Sequence, residues 1–172
     1  MEVVMSSDIV QKEQFCQLVE QYQTALLHTC CIYLRDRSLA EDAVQETFLK
    51  AYKAIGSFRG EASEKTWLMR IAMNTCHDIK RSGWFRYMDR RITPDLLPEP
   101  QSVSVESGVE MVAEIMKLPP KLREVVLLYY YQNMNVYEIA EALGINHSSV
   151  SNRMRRAKEK LRIAMKGAYF NE

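Results

Sequence analysis

The segment from Ser148 to Lys166 holds the side chains in this sequence whose types and spacing best suit chemistry with another molecule. It contains seven lysines and arginines and one acidic residue, Glu159. On a helix whose apolar residues face inward, six polar side chains face outward: Ser149, Ser151, Asn152, Arg155, Arg156 and Lys158. Asparagine and arginine make paired hydrogen bonds to base edges in the major groove. The pattern therefore predicts a helix that reads duplex DNA.

Other residues of the same segment suit the DNA backbone. Ser148 and Ser149 stand at the expected start of the helix, where hydroxyls and unpaired amide groups favour a phosphate. Arg153, Lys158 and Lys160 would neutralise phosphates, so binding should weaken as salt is added. The alternative is a solvated, charged helix of an ordinary helical bundle.

The residues before this segment predict the element that positions it. Asn135 is expected to cap a short helix over residues 136–143, and Glu138 is expected to complete a capping box. Gly144 supplies a left-handed residue that ends this helix and turns the chain. One of the two serines at its start is expected to cap the second helix, whose inward face is Val150, Met154, Ala157 and Leu161. The arrangement predicts a helix-turn-helix.

Helical periodicity also dominates the first half of the chain, and strand alternation is nearly absent. A first helix has an apolar face from Phe15 to Leu27. A second is expected over Ser38–Ile55, with Ser38 as its cap. Its expected apolar face is Leu39, Ala43, Phe48, Tyr52 and Ile55. A third is expected from about Glu64 to Arg81, with a buried stripe of Trp67, Leu68, Ile71, Ala72, Thr75, Cys76 and Ile79.

Between these helices and the helix-turn-helix, the composition changes. Residues 90–110 contain three prolines and three serines and few large apolar side chains, which is typical of a linker. The sequence thus predicts an all-α fold with two small helical domains, residues 1–89 and 109–172, joined by a flexible linker over residues 90–108. Pro120 suits the first turn of a further helix that continues to Tyr131.

Several classes of protein are disfavoured by what the sequence lacks. No apolar run approaches the roughly 20 residues that span a bilayer, and the first residues do not resemble a signal peptide, so a cytoplasmic protein is expected. Neighbouring His28 and Cys30, or Cys76 and His77, could suggest a metal, but buried thiols are the preferred interpretation. No nucleophile–base or metal-ligand spacing stands out, so we expect no enzyme activity, no cofactor and no metal.

Two long segments also resemble a known family. They are DAVQETFLKAYKAIGSFRGEASEKTWLMRIAMNTCHDIKR, residues 42–81, and LPPKLREVVLLYYYQNMNVYEIAEALGINHSSVSNRMRRAKEKLR, residues 118–162. In this order and at this spacing they resemble the extracytoplasmic-function group of bacterial sigma factors. The resemblance implies a promoter-specificity subunit of RNA polymerase. The first domain would bind the clamp helices of the polymerase core and the −10 element, and the second would bind the −35 element and the flap.

The resemblance also assigns residues. Those matching the polymerase-binding helix are Asp42, Gln45, Glu46 and Phe48. Those matching the −10 reader are Phe58, Arg59, Ser63, Trp67, Arg70, Asn74 and Arg81. Those matching the −35 reader are Ser151, Asn152, Arg155 and Arg156. The predicted −35 contact also includes the residues suited to phosphates, namely Ser148, Ser149, Arg153 and Lys158. From its position on the apolar stripe, Trp67 is alternatively a core residue. The basic, aromatic segment WFRYMDRR after Gly83 either extends the nucleic-acid contact or caps the first domain.

Members of this family are commonly held inactive by an anti-sigma factor, often one anchored in the membrane, and the resemblance implies such a partner and a role in a stress or envelope response. The alternative function is a stand-alone helix-turn-helix transcriptional regulator whose first domain senses a ligand. That regulator would bind duplex DNA tightly without polymerase.

Overall fold

The computed structural model describes residues 2–82 and 105–169, with side chains for residues 8–82 and 108–166. Every regular element in these two stretches is helical, which confirms the predicted all-α class. The segment WFRYMDRR and residues 90–104 of the predicted linker lie outside the described residues.

The first unit comprises three helices, α1 (Glu2–Leu34), α2 (Arg37–Ala54) and α3 (Glu64–Arg81). The cap of α2 is Asp36, whose Oδ1 accepts a 2.8 Å hydrogen bond from the amide of Leu39. The prediction of Ser38 as the cap is therefore wrong, because the helix already begins at Arg37 and its cap must precede that residue.

The second unit comprises α4 (Val105–Lys117), α5 (Pro120–Val126), α6 (Val136–Leu143) and α7 (His147–Tyr169). Pro120 occupies the first turn of α5, as predicted. Two boundaries differ from expectation. The helix α4 begins at Val105, inside the range predicted as linker, and α5 gives way to a π-helical turn over Leu127–Tyr131 instead of continuing as an α-helix.

The helix-turn-helix forms with the local chemistry that its residues favour. Asn135 Oδ1 accepts from the amides of Tyr137 and Glu138, and the Glu138 carboxylate accepts from the Asn135 amide, which completes the predicted capping box. Gly144 ends α6 with φ of 64°. At the start of α7, Asn146 Oδ1 accepts from the Ser149 amide at 2.7 Å. Asn146, and neither of the serines expected there, therefore caps α7.

The two units pack against each other and share one apolar core cluster with members in all seven helices. The largest contact between the units joins α3 to α6. Met69 and Met73 of α3 are fully buried although they lie off the stripe predicted for that helix. Since α3 packs on both the first unit and α6, it buries more of its circumference than its own hydrophobic periodicity indicates.

The thiols of the first unit are mainly packing groups. Cys30 and Cys76 are buried with their Sγ atoms 3.5 Å apart, and the hydrogen bond between them, with burial, raises the pKa of Cys30 well above its usual value. Burial likewise raises the pKa of Cys31 to about 11, so both thiols stay protonated at neutral pH. Within residues 8–82 and 108–166, no three His, Cys, Asp or Glu side chains cluster as metal ligands would.

Across residues 2–82 and 105–169, none of the helices combines the length and apolarity needed to cross a bilayer.

Replacing Gly144 with alanine should lower the free energy of unfolding by about 1 kcal/mol, because the left-handed conformation at this position penalises a side chain. A Cβ atom there would meet no neighbour within 4 Å, so the backbone conformation is the whole effect. Gly56, whose φ lies outside the left-handed region, gives the matched control, and Gly56→Ala should be close to neutral. Urea unfolding followed by circular dichroism measures both, and equal losses would contradict the assignment.

Candidate nucleic-acid interface

The outward face of α7 presents the polar side chains that the sequence predicts. Ser148, Ser151, Asn152, Arg155, Arg156 and Lys158 are exposed, and Ser149 is half-buried. Arg155 Nη2 donates to Asn152 Oδ1 at 3.1 Å, one turn of helix apart. This hydrogen bond orients both side chains in the free protein and leaves further guanidinium donors available. Val150, Met154, Ala157 and Leu161 are buried on the opposite face, as predicted, and hold the helix in place.

Arg153 differs from the other basic residues of α7. Its side chain is 20% exposed, and its Nη1 lies 2.7 Å from Oε1 of Glu124, a carboxylate of α5 that is 5% exposed. The sequence predicted that Arg153 would neutralise a phosphate, but the structure gives it an internal partner on the inner side of the helix. Arg153 therefore fixes α7 against α5 and helps to hold the exposed polar face of α7 in place, while its contact with a phosphate stays a prediction.

A groove on the first unit brings together three of the residues assigned to the −10 reader. It has a volume of about 320 Å³ and is lined by Lys50, Ala54, Trp67, Arg70, Ile71 and Asn74. Arg70 and Asn74 are exposed, whereas Trp67 is half-buried and stacks on Phe58 with ring centroids 4.7 Å apart. Trp67 thus packs against the small core of the first unit and also forms a wall of the groove.

The other residues assigned to the −10 reader do not line this groove. Arg59 is exposed in the loop before α3, next to Gly60, whose φ is 71°. Ser63 caps α3, since its Oγ accepts from the Thr66 amide at 3.1 Å. Arg81 pairs with Asp78 one turn earlier, at 2.6 Å, and is exposed.

Lys50 is a residue of the groove that sequence reasoning missed. Its Nζ donates to Thr75 Oγ1 at 3.1 Å and lies within 4 Å of Asp78 and Glu46. Lys50 belongs to α2 and the other polar lining residues to α3, so only the packing of the two helices reveals that they share a groove. The position of Lys50 adds a positive charge where Arg70 already supplies one.

The third candidate surface lies on α2. Asp42, Gln45 and Glu46 are exposed, but Phe48 packs inward, with its ring edge-on to Phe15 at 6.2 Å. Two apolar residues take its place on the surface: Leu49 is 56% exposed and Tyr52 is 41% exposed. Tyr52 was predicted on the apolar face of α2, and its ring does pack edge-on to Phe15, with the ring centroids 5.0 Å apart, while part of the side chain stays exposed. Leu49 and Tyr52 follow Asp42 and Glu46 at helical spacing, which was the signal that could have identified them.

Comparison with known sequences divides the chain into the same two units. Residues 18–86 match the family model of sigma-70 region 2, and residues 109–161 match that of sigma-70 region 4. The chain is 32% identical over 165 residues to the ECF RNA polymerase sigma factor SigW of Bacillus subtilis, with 88% of each protein covered. It is 29% identical to the RNA polymerase sigma-H factor of Pseudomonas aeruginosa, covering 90% of this chain and 87% of that protein.

Solved structures of sigma factors also resemble this chain over most of its length. CnrH in complex with the cytosolic domain of CnrY is similar with a TM-score of 0.70, at 26% identity, and covers 91% of this chain and 90% of that one. The sigma factor RpoE of Bartonella quintana, solved with the anti-sigma factor NepR, has the same fold with a TM-score of 0.77, at 21% identity, and covers 90% of this chain and 98% of that one.

The pair of regions defines a sigma factor of the sigma-70 class. Both family models and the similar curated proteins agree on this class, so the chain belongs to the ECF group of RNA polymerase sigma factors. The match extends over both units and so distinguishes the chain from the stand-alone helix-turn-helix regulator considered as the alternative.

Arg153→Ala should lower the free energy of unfolding by about 2–4 kcal/mol, because it leaves the buried Glu124 carboxylate without its guanidinium partner. Arg156→Ala removes the same charge from an exposed position of the same helix and should change stability by less than about 0.5 kcal/mol. Chemical denaturation of the two variants checks this. Similar stabilities would mean that Arg153 does not position α7.

Proposed function

We propose that this chain directs RNA polymerase to promoters by reading the −35 element with α7 and the −10 element with α3 and the loop before it. The observation that carries the proposal is the exposed polar face of α7, which lies within the region 4 match. The groove beside α3, within the region 2 match, supplies the second surface. In this role the protein is an initiation factor, and catalysis belongs to the polymerase.

At the −35 element, α7 would lie in the major groove of duplex DNA. Asn152, Arg155 and Arg156 have the donors and acceptors for base edges, and their exposure supports this role. Ser148, in the first turn of the helix, and Lys158, farther along, are suited to phosphates. Ser151 has only a short hydroxyl at a position where family members often carry a basic residue, so we expect a base preference that depends mainly on its neighbours.

At the −10 element, the first unit would hold unstacked bases of the opened strand. The Phe58–Trp67 stack offers an aromatic surface at one end of the groove, and Arg70 and Asn74 offer polar contacts along it. Trapping bases after they leave the stack would shift the equilibrium toward the open promoter. Lys50 and Arg59 would supply positive charge for the strand's phosphates.

The exposed face of α2 is the surface that we propose for polymerase. Carboxylates at Asp42 and Glu46 suit a basic partner surface, and the exposed apolar side chains of Leu49 and Tyr52 would lose water on binding. Docking both units on one enzyme would let two weak DNA contacts act together through their effective concentration.

We also propose a regulatory partner of the anti-sigma type. RpoE was solved with the anti-sigma factor NepR, and CnrH was solved with the cytosolic domain of CnrY. Both resemble this chain over about nine-tenths of its length. The membrane anchoring of such a partner, and the stress or envelope response that it would control, stay predictions from the family.

The proposal is tested by adding the purified chain to core RNA polymerase and scoring run-off transcription from a promoter library. We expect initiation at a defined set of promoters that core enzyme alone does not use. If no promoter responds, or if the chain selects the same DNA without polymerase, the proposed function fails.

Changing Arg155 or Arg156 to alanine should cost about 1–3 kcal/mol of binding at a −35 base pair and relax the preference there, because a bidentate contact is lost. Lys12→Ala, which removes an exposed positive charge from α1, is the control for a general loss of charge and should leave the preference unchanged. Selection of −35 sequences by holoenzyme containing each variant gives the measurement. An unaltered preference in both arginine variants would reject the reading face.

Leu49→Asp should weaken binding to core polymerase by at least about tenfold, since it places a charge in the apolar part of the proposed docking face. Ile9→Asp makes the same change at a similarly exposed position of α1 and should bind as the wild type does. Fluorescence titration with core enzyme compares them. If the two variants bind equally well, polymerase docks elsewhere.

A further inference from the structure

Two exposed rings meet where the two helices of the helix-turn-helix begin. Tyr137, in the first turn of α6, lies edge-on to His147, the first residue of α7. Their ring centroids are 4.3 Å apart, and the ring planes are inclined at 72°. Aromatic rings favour this edge-on geometry. The contact places the start of α6 beside the start of α7 and restricts the orientation of the imidazole of His147.

Burial does not account for this pair of rings. Tyr137 is 68% exposed, the highest value among the exposed large hydrophobic side chains that the structure describes. His147 is exposed as well. Neither ring nitrogen of His147 has a hydrogen-bond partner within residues 8–82 and 108–166. Since an imidazole carries at least one N–H donor, His147 presents a donor that the fold does not use.

His147 lies in line with residues of the exposed polar face of α7. Residues four apart on a helix share a face, so His147, Ser151 and Arg155 form one row along α7. Where a helix lies in the major groove, the residues near its N-terminus contact the base edges. His147 is therefore at the end of the row where base contacts are expected.

Ser151 leaves space for a contact by His147. At this position family members often carry a basic residue, whereas this chain has a short hydroxyl. Side chains on a helix lean toward its N-terminus, so a long basic side chain at residue 151 would extend back over the first turn, where His147 lies. Serine does not reach that far, and the imidazole stays uncovered.

We propose that His147 is a specificity-determining residue of the −35 reader and that Tyr137 is its positioning residue. The imidazole N–H donates to N7 of a purine, an acceptor in the major groove that adenine and guanine share and that pyrimidines lack. This contact replaces the one that a basic side chain at residue 151 would make. The role of His147 rests on the proposed function, because it requires α7 to lie in the major groove.

The test is selection of −35 sequences from a randomised promoter library by holoenzyme that contains the full chain. His147→Phe keeps a ring against Tyr137 and removes both ring nitrogens. It should fold as the wild type does and lose a purine preference of about fivefold at one position, the effect of one hydrogen bond. Should circular dichroism show that His147→Phe is less helical, His147→Ala measures the same loss without a ring.

The control is Tyr130→Ala, which removes another exposed ring of the second unit. Tyr130 is 52% exposed, and its ring packs edge-on to Tyr129 with the centroids 4.9 Å apart. This variant should select the same −35 sequences as the wild type. A loss of the purine preference in Tyr130→Ala equal to that in His147→Phe would overturn the assignment to His147.

The positioning role of Tyr137 has its own pair of variants. Tyr137→Leu removes the ring edge that restricts the imidazole and should weaken the same purine preference by about twofold. Tyr137→Phe keeps the ring and should restore the preference. If Tyr137→Leu changes the thermal stability but not the preference, the ring is only structural and the positioning role is wrong.

Ser151→Arg tests whether His147 replaces a basic residue. The guanidinium should extend over the first turn and take over the contact with the base. In this background His147→Phe should change the preference by less than about twofold, because the two side chains serve one contact. Equal losses with Ser151 and with Ser151→Arg would overturn the replacement.

The outcomes separate this role of His147 from the proposed function. A wild-type holoenzyme that selects a −35 sequence, with a preference unchanged in both His147→Phe and His147→Ala, overturns the role of His147 and leaves the proposed function intact. A wild-type holoenzyme without any −35 preference defeats the proposed function, and the role of His147 with it.

Discussion

The packing of α3, α5 and α7 depends on one buried carboxylate, that of Glu124, and on the side chains that balance its charge. Glu124 is almost inaccessible to water, so its charge must be balanced by protein groups. Arg153 provides the opposite charge from α7, and His77 provides a second contact from α3. Because each partner lies on a helix for which we propose a contact with DNA, the contacts of this one carboxylate position both helices.

The apolar core surrounds this polar centre and gives the two units a common interior. The main cluster contains buried side chains from all seven helices, and Met69 and Met73 on α3 are buried as completely as the residues of the predicted stripe. A hydrophobic interior favours close association, whereas buried polar groups demand particular partners. Together they explain why the two units pack in one defined arrangement.

Family membership and geometry bear on different parts of the function. Matches to sigma-70 regions 2 and 4 identify the class of protein, and the geometry indicates which side chains within each region are available. On α7, the pair Asn152–Arg155 is available and Arg153 is engaged. On α2, Leu49 is available and Phe48 packs against Phe15. Similarity to the family therefore identifies candidate binding residues by their position in the sequence. The burial and the contacts of each side chain then show which candidates lie on the surface and which hold the fold together.

The amino-acid sequence by itself determined the features that depend on neighbours along the chain: the all-α class, the bounds of α3, the capping box at Asn135 and the left-handed Gly144. Local backbone preferences and hydrophobic periodicity act over a few residues, so they can be recognised in the sequence. Only the tertiary structure decided that Arg153 and His77 share Glu124, that Lys50 joins the groove and that the two units share one core. These contacts join residues that lie from 25 to 107 positions apart, and no local preference encodes which distant side chain a buried polar group will meet.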